Sequence, residues 1–324
     1  MDEPIVAVEG LVKHFPLPRS WRAPSRREVV HAVDGVDLAV RPGEVLAIVG
    51  ESGSGKTTLA NCLAGLLAPT AGSITIDGQR VVDGQRGGRR MARQRLAPLV
   101  QMVFQDPSSA LNPRQRIGEA LSEPLRVRGG SDRIRARQRA VELLELTALP
   151  TSAMDRYPHE LNSGQRQRVV IARSLALEPR VLIADEPVSK LDVSMQSQIV
   201  NLLLDLKERL GLTVLFITHD LSVVRQLADR VMVMYLGRVM ELTSADSFFS
   251  NPLHPYAEAL LAAAPRLHAQ VDRPPLAGEI PSPIHPPPGC PFITRCPLAD
   301  SACAEAVPPL REVSPGHVVA CIKR

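Results

Sequence analysis

The feature that most constrains the fold is a glycine-rich segment between a predicted strand and a predicted helix. Residues 50–57 read GESGSGKT, preceded by the apolar run VLAIVG and followed by a helical stretch that reaches Leu67. Gly53 and Gly55 permit a backbone that wraps closely around an anion, and the helix N-terminus adds partial positive charge. The arrangement predicts a phosphate-binding loop at the carboxyl end of a buried strand.

The side chains of this loop have separate predicted roles. Lys56 can reach the β- and γ-phosphates of a nucleotide, and the Thr57 hydroxyl can hold Mg²⁺. The predicted phosphate-binding residues are Gly50, Glu51, Ser52, Gly53, Ser54, Gly55, Lys56, Thr57 and Thr58.

Four further polar residues come at or just after the ends of apolar strands. Asp185 and Glu186 end VLIADE, His219 ends TVLFITH, and Gln105 follows PLVQMVF. Because ligands bind at the carboxyl ends of parallel strands, we expect these side chains around the bound phosphates. Asp185 would orient Mg²⁺, and Glu186 would act as general base on an attacking water. His219 would hydrogen-bond the γ-phosphate, and the Gln105 amide would reach Mg²⁺ and the water.

Composition excludes several classes of protein. The chain has 324 residues, of which 44% are hydrophobic, and a net charge of +4, which argues against disorder. Aromatic residues make up 3%, too few for base-stacking platforms, so we expect no nucleic-acid partner. No apolar run is long enough to cross a bilayer, and the start MDEPIVAVEG does not look like a signal peptide. We therefore expect the chain to remain in the cytosol.

Short apolar strands alternate with helical stretches, which predicts an α/β fold with a parallel core sheet. The opening segments IVAVEGLVKHF and HAVDGVDLAV predict an antiparallel β layer, with a Pro- and Arg-rich loop insertion at 16–27 between them. Composition shifts toward proline after residue 245. We therefore expect a nucleotide-binding domain at 1–247, with a helical subdomain at about 107–175, and a small extension at 248–324.

The C-terminal extension contains four of the five cysteines, at positions 290, 296, 303 and 321. Four thiols in a Pro-rich segment without a core of its own suit a metal site. The spacing matches neither a C-x2-C zinc knuckle nor the common ferredoxin runs. From the residues alone, zinc and an iron–sulfur cluster both remain open for Cys290, Cys296, Cys303 and Cys321, and so do reduced thiols or disulfides.

Taken together, the motifs resemble the nucleotide-binding subunit of an ABC transporter. GESGSGKT, VFQDP, LNSGQRQRVVIARSLAL, VLIADEPVSKLD and ITHD occur in this order within residues 5–245. The resemblance implies a P-loop ABC ATPase fold, with Mg²⁺ and ATP, and implies that Phe15 stacks on the adenine, with His14 beside it a weaker candidate. It also implies that the nucleotide site of a dimer includes Asn162, Ser163, Gly164, Gln165 and Asp192.

A narrower resemblance covers the C-terminal extension. SNPLHPYAEALLAAAP and GCPFITRCPLADSAC are similar to the extension of ATP-binding subunits of oligopeptide/dipeptide importers, whose related systems carry nickel, glutathione or oligosaccharides. This resemblance implies a peripheral position on the cytoplasmic face of the cell membrane. It implies two membrane permease subunits, a second ABC ATPase subunit and, indirectly, an extracytoplasmic solute-binding protein as partners. It also favours a [4Fe–4S] cluster at the four cysteines.

The sequence departs from the family pattern in the signature, usually Leu-Ser-Gly-Gly-Gln. Here Asn162 and Ser163 replace the serine and the first glycine, and Lys190 stands where the family mostly has alanine. In an ABC dimer the signature of one chain completes the site on the other chain's phosphate loop. We therefore expect a heterodimer in which this chain's own phosphate-loop site is hydrolytic and the partner's site is degenerate.

Two rival functions can be weighed on sequence features. A non-transport ABC ATPase usually has two cassettes in one chain or a long coiled coil, and this sequence has neither. A regulatory module that binds ATP without turnover would not need Glu186 or His219, and both are present.

Overall fold

The computed structural model describes residues 3–17, 28–82, 95–130, 132–263 and 278–324. The insertion predicted at 16–27 lies outside these residues from position 18 onward. Within the described ranges, no helix combines the length and the apolar character needed to cross a membrane.

The strands form two sheets. They are β1 (Val6–Pro16), β2 (Val29–Val40), β3 (Val45–Val49), β4 (Ala71–Ile76), β5 (Gln79–Val82), β6 (Val100–Val103), β7 (Val181–Asp185), β8 (Thr213–Ile217), β9 (Arg230–Tyr235), β10 (Arg238–Ser244), β11 (Arg311–Ser314) and β12 (His317–Val319). The smaller sheet has the order β2-β1-β4-β5, and the larger has the order β11-β12-β10-β9-β3-β8-β7-β6.

The parallel core sheet that we predicted is present. β3 pairs in parallel with β8 and β9, and β7 pairs in parallel with β6 and β8. β3, β7 and β8 are buried along their whole length, which explains why their sequences are continuously apolar. Their carboxyl ends therefore meet at one edge of the sheet, where the predicted phosphate-binding and catalytic residues begin.

The antiparallel layer is also present. β1 pairs antiparallel with both β2 and β4, and β4 pairs antiparallel with β5. Leu11 and Ile74 of this layer belong to the same buried apolar cluster as Leu46 and Ile48 of β3. The layer is thus packed on the core sheet and carries β1 and β2 to the edge of the phosphate loop.

Helices cover the core sheet and fill the segment between β6 and β7. They are α1 (Lys56–Leu63), α2 (Pro107–Ala110), α3 (Ile117–Gly129), α4 (Arg133–Leu146), α5 (Ser163–Ser174), α6 (Val193–Leu210), α7 (Leu221–Leu227), α8 (Ala245–Ser250) and α9 (Pro255–Ala263). Leu121 of α3, Leu143 of α4 and Val169 of α5 pack in one buried cluster. The same cluster includes Leu182 of β7 and Phe216 of β8, so the helices of the predicted subdomain share a core with the parallel sheet.

The C-terminal extension shares its sheet and its core with the preceding residues. α8 crosses position 247, where we place the domain boundary, and β12 pairs antiparallel with β10. Tyr256 and Phe292, both fully buried, pack with Val233 and Tyr235 of β9 in one apolar cluster. The apolar core continues across residue 247. The domain boundary at that position stays a prediction.

Candidate active site

The phosphate loop joins β3 to α1 through glycines with positive φ. Gly50 has φ 151°, and a Cβ there would lie 2.2 Å from the Met234 carbonyl oxygen. Gly55, the N-cap of α1, has φ 102°, and a Cβ there would lie 2.2 Å from the Ala32 carbonyl oxygen. Only glycine fits at both positions, and α1 has no side-chain cap, so its first N–H groups remain available to an anion.

Lys56 begins α1 and turns its ammonium group back into the loop. Its Nζ donates to the carbonyl oxygens of Gly50 and Glu51 at 2.8 and 2.9 Å, and to Ser54 Oγ at 3.2 Å. Lys56 is only 7% exposed, and this burial lowers its pKa, an effect opposed by the Glu186, Asp185 and Glu51 carboxylates. The lysine is therefore held at the centre of the loop by neutral acceptors that a phosphate group could replace.

Thr57 and Asp185 place two oxygen ligands side by side. The Thr57 hydroxyl donates to Asp185 Oδ1 at 3.3 Å, and Asp185 is 4% exposed at the end of β7. Burial raises the pKa of Asp185, and the Thr57 hydrogen bond opposes that rise. Hard oxygen donors are the ligands that Mg²⁺ prefers, so these two side chains fit the predicted magnesium site.

Glu186 lies between Gln105 and His219. Gln105 Nε2 donates to Glu186 Oε2 at 2.7 Å, and His219 Nδ1 lies 3.1 Å from Glu186 Oε1. Glu186 has φ 46°, and its N–H donates to the Ile217 carbonyl oxygen at 2.9 Å. The ends of β6, β7 and β8 thus bring the three predicted catalytic residues together, around a carboxylate held in a sparsely populated backbone conformation.

The remaining predicted loop residues lie at the same edge of the sheet. Ser54 is buried and accepts from Lys56, whereas Ser52 and Gly53 are exposed, and Thr58 lies in the first turn of α1. Gly237 connects the antiparallel layer to the loop. Its N–H donates to the Ser54 carbonyl oxygen, and its carbonyl oxygen accepts from the N–H of Asp34 on β2, both at 2.9 Å.

Phe15 lies on β1 in this layer, half-buried, with Lys13 Nζ 4.9 Å from its ring centroid. The neighbouring His14 is engaged elsewhere, with Nε2 3.2 Å from Asp34 Oδ1. Arg238 also donates to Asp34, at 2.6 Å. The adenine-stacking role of Phe15 remains a prediction.

The signature residues lie at the N-terminus of α5, and their polar groups bond to one another. Asn162 is the N-cap, and its Oδ1 accepts from the Gln165 N–H at 2.8 Å. Gln165 Oε1 accepts in return from the Asn162 N–H at 3.2 Å, which completes a capping box. Ser163 Oγ lies 3.9 Å from Met195 Sδ, and Gly164 packs closely against the same methionine.

Asp192 and Lys190 follow Glu186 in the loop that leads to α6. Asp192 is the exposed N-cap of α6, and its Oδ1 accepts from the Met195 N–H at 2.9 Å and from Ser194 Oγ at 2.7 Å. The Ser194 bond, with the Met195 bond, lowers the pKa of Asp192. Lys190 Nζ donates to Asp106 Oδ2 at 2.7 Å, so this extra cation is paired with the residue after Gln105.

The four C-terminal cysteines converge on one pocket. Cys290, Cys296, Cys303 and Cys321 line it together with His254. Within the described ranges, only His14, His31 and Asp34 bring three candidate ligand atoms within 4.8 Å of one another, so the thiol sulfurs are spread more widely. A single zinc ion would hold its sulfurs about 3.8 Å apart. Burial raises the pKa of the Cys290 thiol to about 11.

Two residues of the extension contact the phosphate loop and were missed by sequence reasoning. Tyr256 Oη accepts from the Glu51 N–H at 2.8 Å. The Arg295 guanidinium donates to both carboxylate oxygens of Glu51, at 2.6 and 3.0 Å. These residues lie far from Glu51 along the chain, and no local pattern marks them as its partners.

Comparisons with known proteins cover both parts of the chain. A family model described as "ABC transporter" matches residues 33–189, and one described as "Oligopeptide/dipeptide transporter, C-terminal region" matches residues 240–303. A Brucella ovis protein named "Putative peptide import ATP-binding protein" is 48% identical over 324 residues, covering 99% of this chain and 98% of that protein. A Brucella abortus protein of the same name is 49% identical over 319 residues, covering 98% of this chain and 94% of that protein.

Solved structures resemble the cassette part of the chain. A dimeric ATP-binding cassette in a post-hydrolysis state, bound to ADP and Pi, superimposes with a TM-score of 0.64 at 29% identity, covering 74% of this chain and 98% of that chain. The Clostridium perfringens protein cbiO1, part of the ABC transporter complex cbiONQ, also gives a TM-score of 0.64. It is 32% identical, and the match covers 77% of this chain and 92% of that chain.

Proposed function

The chain belongs to the ABC transporter family of ATPases, and from this premise we propose that it hydrolyses ATP to power the import of peptides through membrane permease subunits. The peptide cargo is supported by the match of residues 240–303 and by the names of relatives that align over nearly the full chain. The observation that carries the hydrolytic role is the contact of Glu186 with both Gln105 and His219, next to Lys56 and Asp185.

Binding of ATP begins at the phosphate loop. The Lys56 ammonium exchanges its contacts with the Gly50 and Glu51 carbonyl oxygens for contacts with the β- and γ-phosphates. The N–H groups at the start of α1 and the helix dipole add favourable electrostatic interactions. Thr57 and Asp185 would hold Mg²⁺, whose charge, when bound, offsets that of the phosphates.

Hydrolysis depends on Glu186. Its carboxylate accepts a proton from a water molecule as the water oxygen attacks the γ-phosphorus, and the bond from that phosphorus to the β–γ bridging oxygen breaks. Gln105 and His219 orient the carboxylate through its two oxygens. Protonated on both ring nitrogens, His219 would also donate to the γ-phosphate through Nε2. The catalysis is therefore positioning and charge stabilisation, without a covalent enzyme intermediate.

The second subunit of the dimer is a non-identical ABC ATPase. The signature of that partner completes the site on this chain's phosphate loop, while Asn162 and Ser163 face the partner's phosphate loop. The Asn162 side-chain oxygen is used within α5 as a helix cap, and the Ser163 hydroxyl lies against Met195, which supports a weakened partner site. The result is one strong and one degenerate ATPase site.

Coupling to transport runs through the segment that follows Gln105. ATP closes the two ATPase subunits because γ-phosphate contacts span the interface, and α2 and α3 pass this motion to two permease subunits. The Lys190–Asp106 ion pair links that segment to the loop before α6. The chain works at the cytoplasmic face of the membrane as a peripheral subunit, and a solute-binding protein on the other side delivers the cargo.

For the four thiols of the extension we propose a metal site, which the resemblance of this segment to importer subunits favours as a [4Fe–4S] cluster, with zinc as the alternative. Cys290, Cys303 and Cys321 are buried around one pocket, with Cys296 partly exposed at its edge. Elemental analysis and absorption spectra of anaerobically purified protein test this assignment. A brown protein with iron and sulfide supports the cluster, and a colourless protein with one equivalent of zinc contradicts it.

Reconstitution of the assembled transporter tests the proposed function. The chain, its partner ATPase and the permease subunits are placed in proteoliposomes, and uptake of labelled peptides is measured with ATP on the side of the ATPases. We expect uptake that needs both ATP and the solute-binding protein, with peptides identified by mass spectrometry of the co-purified cargo. Co-purified nickel, glutathione or oligosaccharide with no peptide uptake would contradict the peptide assignment, and absence of ATP hydrolysis would contradict the mechanism.

A further inference from the structure

Glu51, the second residue of the phosphate loop, is held on two sides by the C-terminal extension. Its N–H donates to Tyr256 Oη at 2.8 Å, and its carboxylate accepts two hydrogen bonds from Arg295 at 2.6 and 3.0 Å. The carbonyl oxygen of the same residue accepts from Lys56 Nζ at 2.9 Å. One residue of the loop therefore touches the extension through its N–H and side chain and the phosphate-binding lysine through its carbonyl.

The two residues that hold Glu51 are themselves rigidly packed. The Arg295 side chain is only 3% exposed, and its NH1 also lies 3.4 Å from Tyr235 Oη. The rings of Tyr235, Tyr256 and Phe292 contact one another, with centroids 4.7 to 5.4 Å apart. The Glu51 side chain is 25% exposed. Because the planar guanidinium of buried Arg295 makes two hydrogen bonds to this carboxylate, the contact is specific in direction.

Both residues also adjoin the thiol pocket. Arg295 directly precedes Cys296, and its N–H donates to the Phe292 carbonyl oxygen at 3.0 Å. Tyr256 is in the first turn of α9, and its N–H donates to Nδ1 of His254, which lines the pocket. A rearrangement of the thiol segment would therefore move the two groups that hold Glu51.

We propose that Arg295 and Tyr256 are positioning residues for the phosphate loop, and that they make nucleotide binding by this ATPase depend on the folding of its four-thiol segment. The proposal rests on the proposed function, since it assigns these residues to the ATP site of the same chain. It assigns the extension a role in nucleotide binding that differs from contact with partners or cargo.

Loss of the contacts that Arg295 and Tyr256 make with Glu51 should loosen the phosphate loop. Without Arg295 the Glu51 carboxylate loses both of its hydrogen bonds to the guanidinium and turns toward water. The backbone at Glu51, whose carbonyl oxygen accepts from Lys56 Nζ before ATP binds, is then held by fewer contacts. The loop becomes more mobile and binds ATP more weakly, whereas Glu186 and its two partners keep their geometry.

The experiment uses the full-length chain, purified anaerobically, with a fluorescent ATP analogue and hydrogen exchange as readouts. We expect Arg295→Gln to weaken analogue binding roughly tenfold, equivalent to one strong hydrogen bond, and Tyr256→Phe to weaken it several-fold. Amide exchange in residues 50–56 should rise in both variants. Arg324→Gln is the matched control, because Arg324 pairs with Glu258 inside the extension and does not touch the phosphate loop.

A Cys296→Ser variant tests the link to the thiol segment. Alone it should weaken analogue binding and raise amide exchange in residues 50–56. In the Arg295→Gln background it should add little, because the contact that connects the thiol segment to Glu51 is already lost. In the assembled transporter, Arg295→Gln should raise the KM for ATP and leave kcat nearly unchanged. Arg295→Lys should restore part of the affinity.

Several outcomes would overturn the inference. These are wild-type affinity and exchange in Arg295→Gln and Tyr256→Phe, or effects of Cys296→Ser and Arg295→Gln that multiply in the double variant. If Arg295→Gln does not fold, Glu51→Gln removes the same ion pair from the loop side. Wild-type analogue binding and amide exchange in that variant would then overturn the inference. A wild-type chain that binds no ATP would contradict the proposed function, and the exchange of residues 50–56 would still decide the role of Arg295.

Discussion

The phosphate-loop side and the signature side of this chain use similar polar residues in different ways. At the strand ends, Gln105 and His219 bond to the Glu186 carboxylate, a group with no role in capping a helix. At the start of α5, Asn162 and Gln165 bond to each other's backbone N–H groups. The first arrangement keeps a base oriented for a substrate, whereas the second mainly stabilises the helix that contains it.

The difference explains how a signature can change without loss of the fold. Asn and Ser are comparable N-caps, so Asn162 preserves the start of α5 while it changes the group offered to a phosphate across the dimer interface. Glu186 has no such freedom, because a change of its carboxylate removes the base itself. Substitutions on each side, and at the Lys190–Asp106 ion pair, test whether the two sides differ in this way.

The largest effect is expected for Glu186→Gln. The amide keeps the size of the side chain but cannot accept the proton from water, so kcat of the assembled transporter should fall about 100- to 10,000-fold. Steady-state ATPase assays in proteoliposomes measure this. Glu208→Gln, in an exposed position on α6, is the control and should leave kcat unchanged. Survival of most activity in Glu186→Gln would place the main site on the partner's phosphate loop.

A smaller loss is expected for His219→Ala. The imidazole contacts Glu186 at 3.1 Å from an exposed position, so its removal leaves the base present but less well oriented. We expect kcat to fall roughly 100-fold with little change in nucleotide affinity. His159→Ala removes another exposed histidine and serves as the control. If His219→Ala weakened ATP binding and left kcat intact, the positioning role would be wrong.

The phosphate-loop side was predictable from sequence because its determinants are local. The limits of β3, β7 and β8 match the apolar runs to within two residues, since buried parallel strands are apolar throughout. The helix predicted to reach Leu67 ends at Leu63 instead. Gly65 has φ 69°, and the N–H groups of Leu66 and Leu67 both turn back to the Asn61 carbonyl oxygen, which terminates the helix despite its apolar pattern.

The contacts of the extension were beyond local reasoning. Tyr256 lies 205 residues from Glu51 and Arg295 lies 244 residues from it, so only the packing of the whole chain brings them together. The antiparallel pairing of β12 with β10 has the same origin. The capping box of Asn162 and Gln165, by contrast, has a local sequence signal, because a capping Asn followed three positions later by Gln is typical of a helix start.

Repair of the signature should give a modest gain. In the double variant Asn162→Ser with Ser163→Gly, the partner's phosphate loop would face a regular signature. Total ATPase activity should rise by up to about twofold, because two sites rather than one would turn over. ATPase assays of the assembled heterodimer measure the gain.

The control for the signature repair is Asn162→Ala, which removes the helix cap without adding a hydroxyl. It should lower the free energy of unfolding by about 1 kcal/mol and give no gain in activity. An unchanged or reduced rate in the repaired variant would show that Asn162 and Ser163 are tolerated in a working site.

The smallest effect is expected at the ion pair of Lys190 with Asp106, which joins the loop before α6 to the residue after Gln105. Both side chains are about half exposed, so water and salt screen the pair. Lys190→Ala should change the free energy of unfolding by less than about 0.5 kcal/mol and the ATPase rate by less than about twofold. Denaturant unfolding and ATPase assays measure both, with Lys207→Ala as a matched control because Lys207 pairs with Asp229 at 2.9 Å. A tenfold loss of activity confined to Lys190→Ala would show that this pair positions Gln105.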